Sequence, residues 1–328
     1  MSRSTIYKLQ VEPSITVQIA LLPYPRPRIP SSYMPQQSPD YLLLTSTRYD
    51  PFLEIFTWNY DDDGPSPFFL LRHHCDRLNA AIDAHDWPNA RSSHNYSNLK
   101  AACVNAIIEE SSKEDISGAY YVRITLSRKG EIAVTASPLP ARFSYDPLLA
   151  PLSTAPSGST DSLLDDPPPL SVFLDKQPTP TSIFTQTKTT FRQLYEQAKE
   201  RNRHVLGSTS TSSDILLYNL QEQLLETTIF NIAFYRSGKW LTPKTTSGCL
   251  SGVIRRWLLE HERIREDTEG VLMKADVREG ELVLLFNGHI STHIGETMPS
   301  LWSHLRDVEN SPEVESERHK VGNGEAKM

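Results

Sequence analysis

Residues able to do chemistry concentrate in two stretches of the chain. The first, Gln186-Thr187-Lys188-Thr189-Thr190-Phe191-Arg192-Gln193-Leu194-Tyr195, carries an amine, a guanidinium and a phenol. With a helix begun by Lys188, the positions Lys188, Arg192 and Tyr195 fall at i, i+4 and i+7 on one face; a solvated basic face is the plain alternative. In the second, Leu216 to Arg256, Glu226 stands before two threonines and the β-branched and aromatic run Ile229-Phe230-Asn231-Ile232-Ala233-Phe234-Tyr235. Ser237-Gly238 then turns the chain, and Lys239-Trp240-Leu241-Thr242 returns as far as Pro243. Beyond Thr246-Ser247-Gly248-Cys249-Leu250-Ser251-Gly252, the residues Val253, Ile254, Trp257, Leu258 and His261 recur at helical spacing. A glycine-bearing loop that opens a helix offers free backbone N–H groups and a positive dipole end to a phosphate. The same glycines also suit a cap and a close-packed turn. An amine, a carboxylate and a phosphate cradle together make the skeleton of an anion-and-cofactor site.

The elements that must position these groups follow from pattern. Residues 1–39 include the extended Pro23-Tyr24-Pro25-Arg26-Pro27-Arg28-Ile29-Pro30 and read as an arm. Tyr41–Tyr49 predicts a strand and Phe52–Trp58 a second one. Asp61-Asp62-Asp63-Gly64-Pro65 lacks the remaining ligand positions of a calcium loop and predicts a solvated turn. His73-His74-Cys75 has no second ligand cluster to complete a zinc site. Tyr96–Ser112 carries Leu99, Ala102, Cys103, Ala106 and Ile107 on one helical stripe, and Ala119–Leu126 pairs as a hairpin with Glu131–Thr135. From Pro138 proline, serine and aspartate become frequent, which predicts a linker with a disordered insertion over 138–181 and a strand Leu170–Leu174 inside it. Val271–Asp276 reads as extended and Glu281–Gly288 as a buried strand ending in a polar loop, with a charged tail after Trp302.

With Lys188, Glu226 and the Gly252 loop together, the chain resembles the fold-type IV pyridoxal-phosphate enzymes. These include the branched-chain and D-amino-acid aminotransferases and the 4-amino-4-deoxychorismate lyases. The strings Thr187-Lys188-Thr189-Thr190, Glu226-Thr227-Thr228-Ile229-Phe230-Asn231-Ile232-Ala233-Phe234 and Ser247-Gly248-Cys249-Leu250-Ser251-Gly252-Val253-Ile254-Arg255 look most like the lyase branch, its fungal members above all. The resemblance covers about residues 40 to 300 with a gap in the middle.

It implies a two-domain α+β fold with pyridoxal 5'-phosphate between the domains. The arm would be 1–39, a small α+β domain 40–137, the linker 138–181, a large cofactor-binding domain 182–302 and a flexible tail 303–328. Lys188 would be the Schiff-base lysine and later the proton shuttle, its amine desolvated or held near positive charge. Glu226 would keep the pyridine nitrogen protonated. Arg77, within His74-Cys75-Asp76-Arg77-Leu78, would join the backbone of Gly252, Val253 and Ile254 and the side chain of Asn287 around the phosphate. Tyr195 would meet the phenolic oxygen. A hydroxyl of the first strand, Ser46 or Thr45, would assist catalysis, with Arg48 near a substrate carboxylate. The lyase reaction gives p-aminobenzoate and pyruvate for folate synthesis; the alternative is an amino-acid aminotransferase on the same fold, and a homodimer is implied in either case. Two departures stand out: Thr187 where relatives commonly carry histidine before the lysine, and Glu222-Gln223 where they carry a glycine.

Composition narrows the partners. The 328 residues, 38% of them hydrophobic, suffice for a substantial core. A net charge of −7 argues against nucleic acid and leaves a small-molecule substrate. Cys75, Cys103 and Cys249 are scattered without metal-like spacing, which suits a reducing compartment. No signal-like core opens the chain and no window reaches about 18 apolar residues, so a cytoplasmic protein away from membranes is expected.

Overall fold

Strand β1, Leu43–Tyr49, is buried at six of its seven positions although its middle is Thr45-Ser46-Thr47. Such a strand needs cover on both faces and a partner at each edge. One edge pairs antiparallel with β2 (Tyr120–Leu126), which pairs in turn with β3 (Ile132–Pro138). Buried and part-buried residues alternate strictly along β2, as expected of a strand with one face on a core. The other edge of β1 is closed by the segment around Lys188: Leu43 bridges Thr189, and the Leu44 N–H donates to the Lys188 carbonyl at 2.9 Å. Helix α1 (Leu71–Ala84) covers one face of this three-stranded sheet, joined by the short α2 (Pro88–Ser93) and by α3 (Tyr96–Ser111). Leu43, Leu78, Ile82, Leu99, Cys103 and Ile124 form the core between them.

The structure is a computed structural model that describes residues 40–112, 118–140, 142–144, 146–148, 169–206, 212–288 and 291–298. The arm, residues 149–168 of the Pro-rich segment and the charged tail lie outside the described residues. After the insertion come β4 (Leu170–Leu174), the one-turn α4 (Ile183–Gln186), α5 (Gln193–Arg201) and α6 (Arg203–Leu206). Then follow β5 (Ser213–Tyr218), β6 (Leu224–Thr227), β7 (Asn231–Arg236), β8 (Lys239–Thr242), α7 (Val253–Glu260), β9 (Arg265–Glu266), β10 (Leu282–Asn287) and β11 (Ser291–Thr297). The eight strands form one mixed sheet in the order β6-β5-β4-β11-β10-β7-β8-β9. Among the described residues no helix is long and apolar enough to cross a membrane.

Three expectations are corrected. Phe52–Trp58 is two 3-10 turns, Pro51–Ile55 and Thr57–Asn59, because Asp50 caps the first turn by accepting from the Phe52 N–H at 3.1 Å and Pro51 suits its opening position. Lys188 is not helical. The helix before it ends at Gln186, α5 begins at Gln193, and the intervening residues run extended along β1, so the i, i+4, i+7 face of Lys188, Arg192 and Tyr195 does not exist. Around Met273 the chain is extended only briefly before the 3-10 turn Lys274–Asp276. The strand expected at Leu170–Leu174 is present, as an interior strand between β11 and β5. The hairpin β7–β8, the strand β10 and the helices α3 and α7 stand where the pattern put them.

Candidate active site

Opposite residues in antiparallel strands put their side chains on one face, and residues two apart share it. Thr189 opposes Leu43, so Lys188 opposes Leu44 and lies on the face of Leu44 and Ser46. Ser46 opposes Arg123 on β2. Lys188, Ser46 and Arg123 therefore share one face of the small sheet, whereas Thr45 points to the other, toward α1. Ser46 Oγ and Tyr121 Oη are 2.8 Å apart. Burial first, then the Arg77 and Arg192 guanidinia, brings the Lys188 amine down to about 7, with Arg123 adding to the effect and Glu226 opposing it. Lys188 still keeps part of its surface accessible. An amine enclosed by protein, reachable by solvent and neutral above pH 7 is a nucleophile and a base.

Helix α1 brings Arg77 to the same place. Its Nη2 donates to Thr45 Oγ1 in a short contact, and Thr45 Oγ1 lies 2.6 Å from His74 Nδ1. Since the guanidinium can only donate, the Thr45 hydroxyl must donate onward to His74. Thr45 is thus committed to holding Arg77. The Nε of Arg77 is buried and has no hydrogen-bond partner among the described residues, while burial lowers the group to about 10. The turn after β10 closes on this wall: a Cβ added to Gly288 would stand 2.7 Å from His74 Cε1 and 2.9 Å from the Ser46 carbonyl, so only glycine fits. Asn287, next to it, is buried.

Facing them is Glu226, near the end of β6 and 4% exposed. Tyr195 Oη donates to its Oε1 at 2.8 Å, and Asn231 Nδ2 donates to its Oε2 at 3.1 Å. Burial lifts its carboxyl to about 7 against the pull of Tyr195, Leu250 and Lys188. A carboxylate with each oxygen hydrogen-bonded and a pKa raised by burial will hold a proton on a neighbouring basic nitrogen. Asn231 also donates to the Leu250 carbonyl at 2.9 Å, and its Oδ1 stands 1.8 Å from where a Cβ on Gly252 would be. The acid and the glycine loop are thereby one unit. Gly252 caps α7 with no side-chain acceptor, and the first N–H groups of a helix have no intrahelical partner.

The unpaired Arg77 Nε, the uncapped N-terminus of α7, the buried Glu226 and the Lys188 amine fit a group with a phosphate, a basic ring nitrogen and a carbonyl. The structure brings together Lys188, Glu226, Arg77, Ser46, Thr45 and Tyr195, with Gly252, Val253 and Ile254 at the N-terminus of α7. Two side chains are already engaged. The Tyr195 phenol donates to Glu226. Arg48 is held by both Nε and Nη2 on Asp50, at 3.1 and 2.8 Å, and lies over the Phe143 ring, which fixes it as a structural ion pair. Sequence reasoning missed Arg123, Tyr121 and Asn231. Alternation along the hairpin places Tyr121 and Arg123 on one face, and Asn231 stands five residues after Glu226, at the start of β7.

The family model for amino-transferase class IV matches residues 53–290. A Schizosaccharomyces pombe protein, provisionally named aminodeoxychorismate lyase, is 34% identical over 221 residues, which is 67% of this chain and 80% of that protein. The Saccharomyces cerevisiae aminodeoxychorismate lyase is 32% identical over 190 residues, 52% of this chain and 49% of its own length. Among solved structures, a Legionella pneumophila protein provisionally named 4-amino-4-deoxychorismate lyase superposes with a TM-score of 0.54 at 13% identity, over 87% of this chain and 91% of that one. A hypothetical aminotransferase from Mycobacterium tuberculosis gives 0.51 at 13% identity, over 84% and 92%. At such identities the structures show a shared α+β fold.

Proposed function

The chain belongs to the amino-transferase class IV family, and from that premise we propose that it is a pyridoxal-phosphate-dependent aminodeoxychorismate lyase. It converts 4-amino-4-deoxychorismate to p-aminobenzoate and pyruvate, the step that supplies folate synthesis. The resemblance in Thr187–Thr190, Glu226–Phe234 and Ser247–Arg255 and the names of the two fungal relatives support the substrate. The observation that carries the chemistry is the shared face of Lys188, Ser46 and Arg123, which sets a base, a hydroxyl and a cation beside one another.

When bound, pyridoxal phosphate supplies an electron sink for the carbanion left by breaking the ring C–H bond. The chain's own residues do the rest. Arg77 and the backbone of Gly252, Val253 and Ile254 would hold the phosphate, with Asn287 at the same wall. Glu226 would keep the ring nitrogen protonated. Lys188 would anchor the group and, as a neutral amine, take the C–H proton from the substrate ring. Arg123 balances a substrate carboxylate, and the Ser46 hydroxyl, supported by Tyr121, donates toward the departing ether oxygen. The C–O bond breaks, the ring becomes aromatic, and the departing enolpyruvate takes up one proton to become pyruvate. Atoms balance with no water and no amino acceptor. A cytoplasmic homodimer completes the proposal, supported by composition and by the resemblance.

The test is to incubate the cofactor-loaded protein with aminodeoxychorismate and no keto acid, beside Lys188→Ala. Equal amounts of p-aminobenzoate and pyruvate from the wild type alone are expected. Absence of both, with amino-group transfer once an amino acid and a keto acid are added, contradicts the lyase and leaves an aminotransferase.

A further inference from the structure

His85 closes α1 two helical turns beyond Arg77, and its ring reaches the residue that precedes Lys188. The protons in this contact are fixed by their neighbours. Thr187 Oγ1 donates to the Ile183 carbonyl at 2.5 Å, so it must accept from His85 Nε2, which lies 2.7 Å away. A neutral imidazole that donates from Nε2 accepts at Nδ1. Tyr41 Oη, 2.8 Å from Nδ1, is then the donor. The chain of bonds runs one way: Tyr41 to His85, His85 to Thr187, Thr187 to Ile183. Tyr41, Trp87 and Phe184 pack their rings around His85 at centroid distances of 5.2, 5.8 and 5.9 Å, and burial lowers its pKa. The imidazole thus stays neutral and keeps that tautomer.

The segment held this way has few other ties before the lysine. Thr187 is the extended C-cap residue just after the one-turn α4, and its N–H also bonds Ile183. From Lys188 onward β1 takes over, through Leu44 N–H to the Lys188 carbonyl and Thr190 N–H to the Leu42 carbonyl, both at 2.9 Å. We propose that His85 is a positioning residue for Lys188: by donating to Thr187 it ties the lysine segment to α1, the helix that carries Arg77. One rigid helix thereby sets the distance between the phosphate arm and the amine. This rests on the assignment of Lys188 as the cofactor-bearing amine.

Thr187→Val removes the acceptor at constant shape and keeps the backbone N–H; Thr187→Ser keeps the hydroxyl. His85→Phe removes both ring nitrogens, whereas His85→Gln returns a donor near the Nε2 position. Three readouts apply to each variant: kcat and KM of the loaded enzyme, the pH midpoint of the visible absorption band of the cofactor on Lys188, and the pH dependence of Lys188 labelling by an amine reagent in cofactor-free protein. We expect Thr187→Val and His85→Phe to lower kcat roughly 10- to 100-fold, in keeping with the cost of misplacing a reacting group, to leave KM within about twofold, and to shift the absorption midpoint and the Lys188 labelling profile together. Thr187→Ser and His85→Gln are expected to recover most of both. Midpoints and labelling equal to wild type in Thr187→Val overturn the proposal. So does a loss of kcat that simply follows a fall in Tm, without recovery in the conservative pair. The absorption and labelling readouts need no aminodeoxychorismate, so a wrong substrate leaves them intact, and labelling needs no cofactor.

Discussion

The two walls of the site are built to different degrees of completion. On one, Glu226 has Tyr195 on one oxygen and Asn231 on the other, and Asn231 in turn fills the space beside Gly252. On the other, Arg77 spends one nitrogen on Thr45 and leaves a buried Nε unpaired, while Lys188 stays partly accessible with its charge disfavoured. The first wall has its hydrogen bonds made. The second retains unsatisfied groups, which the proposed cofactor would engage. A buried unpaired donor or an uncharged lysine costs stability, and function is the reason to keep it.

The comparison breaks most sharply at Lys188. Lys188→Ala should remove turnover and the visible absorption of the cofactor-bound enzyme, with the fold intact by circular dichroism. Next, Glu226→Gln keeps the hydrogen bonds of the finished wall but cannot hold a charge, so kcat should fall roughly 10²- to 10⁴-fold with the cofactor still retained. A fall in cofactor affinity of similar size instead would show that Glu226 holds the group rather than tuning it. On the receiving wall, Arg77→Met should weaken cofactor binding roughly 10- to 100-fold, as for losing a hydrogen bond to a charged group worth about 1.5–3 kcal/mol.

Thr45 and Ser46 sharpen the contrast within one strand. Thr45→Val should act mainly on cofactor affinity, through Arg77, and Ser46→Ala mainly on kcat; titration with pyridoxal phosphate beside steady-state rates separates them. The smallest expected effect is on stability. The folded pKa of Lys188 lies near 7, below its ordinary 10.5. The folded state therefore binds fewer protons than the unfolded one between those values, and its stability gains as pH rises through them. Lys188→Met should raise the Tm of cofactor-free protein at pH 6 and lose that advantage toward pH 10. An advantage that grew with pH would mean the amine is not charge-disfavoured.

How much of this was legible depended on how local the signal was. Glu226, the β7–β8 hairpin and the Gly252 junction stand within one short stretch, where alternation, turn residues and helical spacing each leave a mark. Lys188 was found but placed on the wrong element, since Thr189 and Phe191 read equally well as helix or strand until β1 supplies the partner edge. The glycine missing at Glu222 also has a structural answer: Glu222 takes a positive φ of 60°, and Asn219 steadies the turn by accepting from Gln221 and Gln223 N–H at 3.0 Å each. His85 and the division of labour between Thr45 and Ser46 depend on partners distant in the chain, the first on Thr187 and the second on the register of β1 with β2.

The central claim is an elimination that needs no amino acceptor, and a count of turnovers tests it most directly. With aminodeoxychorismate in large excess over cofactor-loaded protein and keto acids rigorously removed, p-aminobenzoate should accumulate far beyond one equivalent per active site, matched by pyruvate. Product that stops at or below one equivalent until a keto acid is added would contradict the account, because the enzyme would then be storing the amino group rather than releasing an aromatic ring.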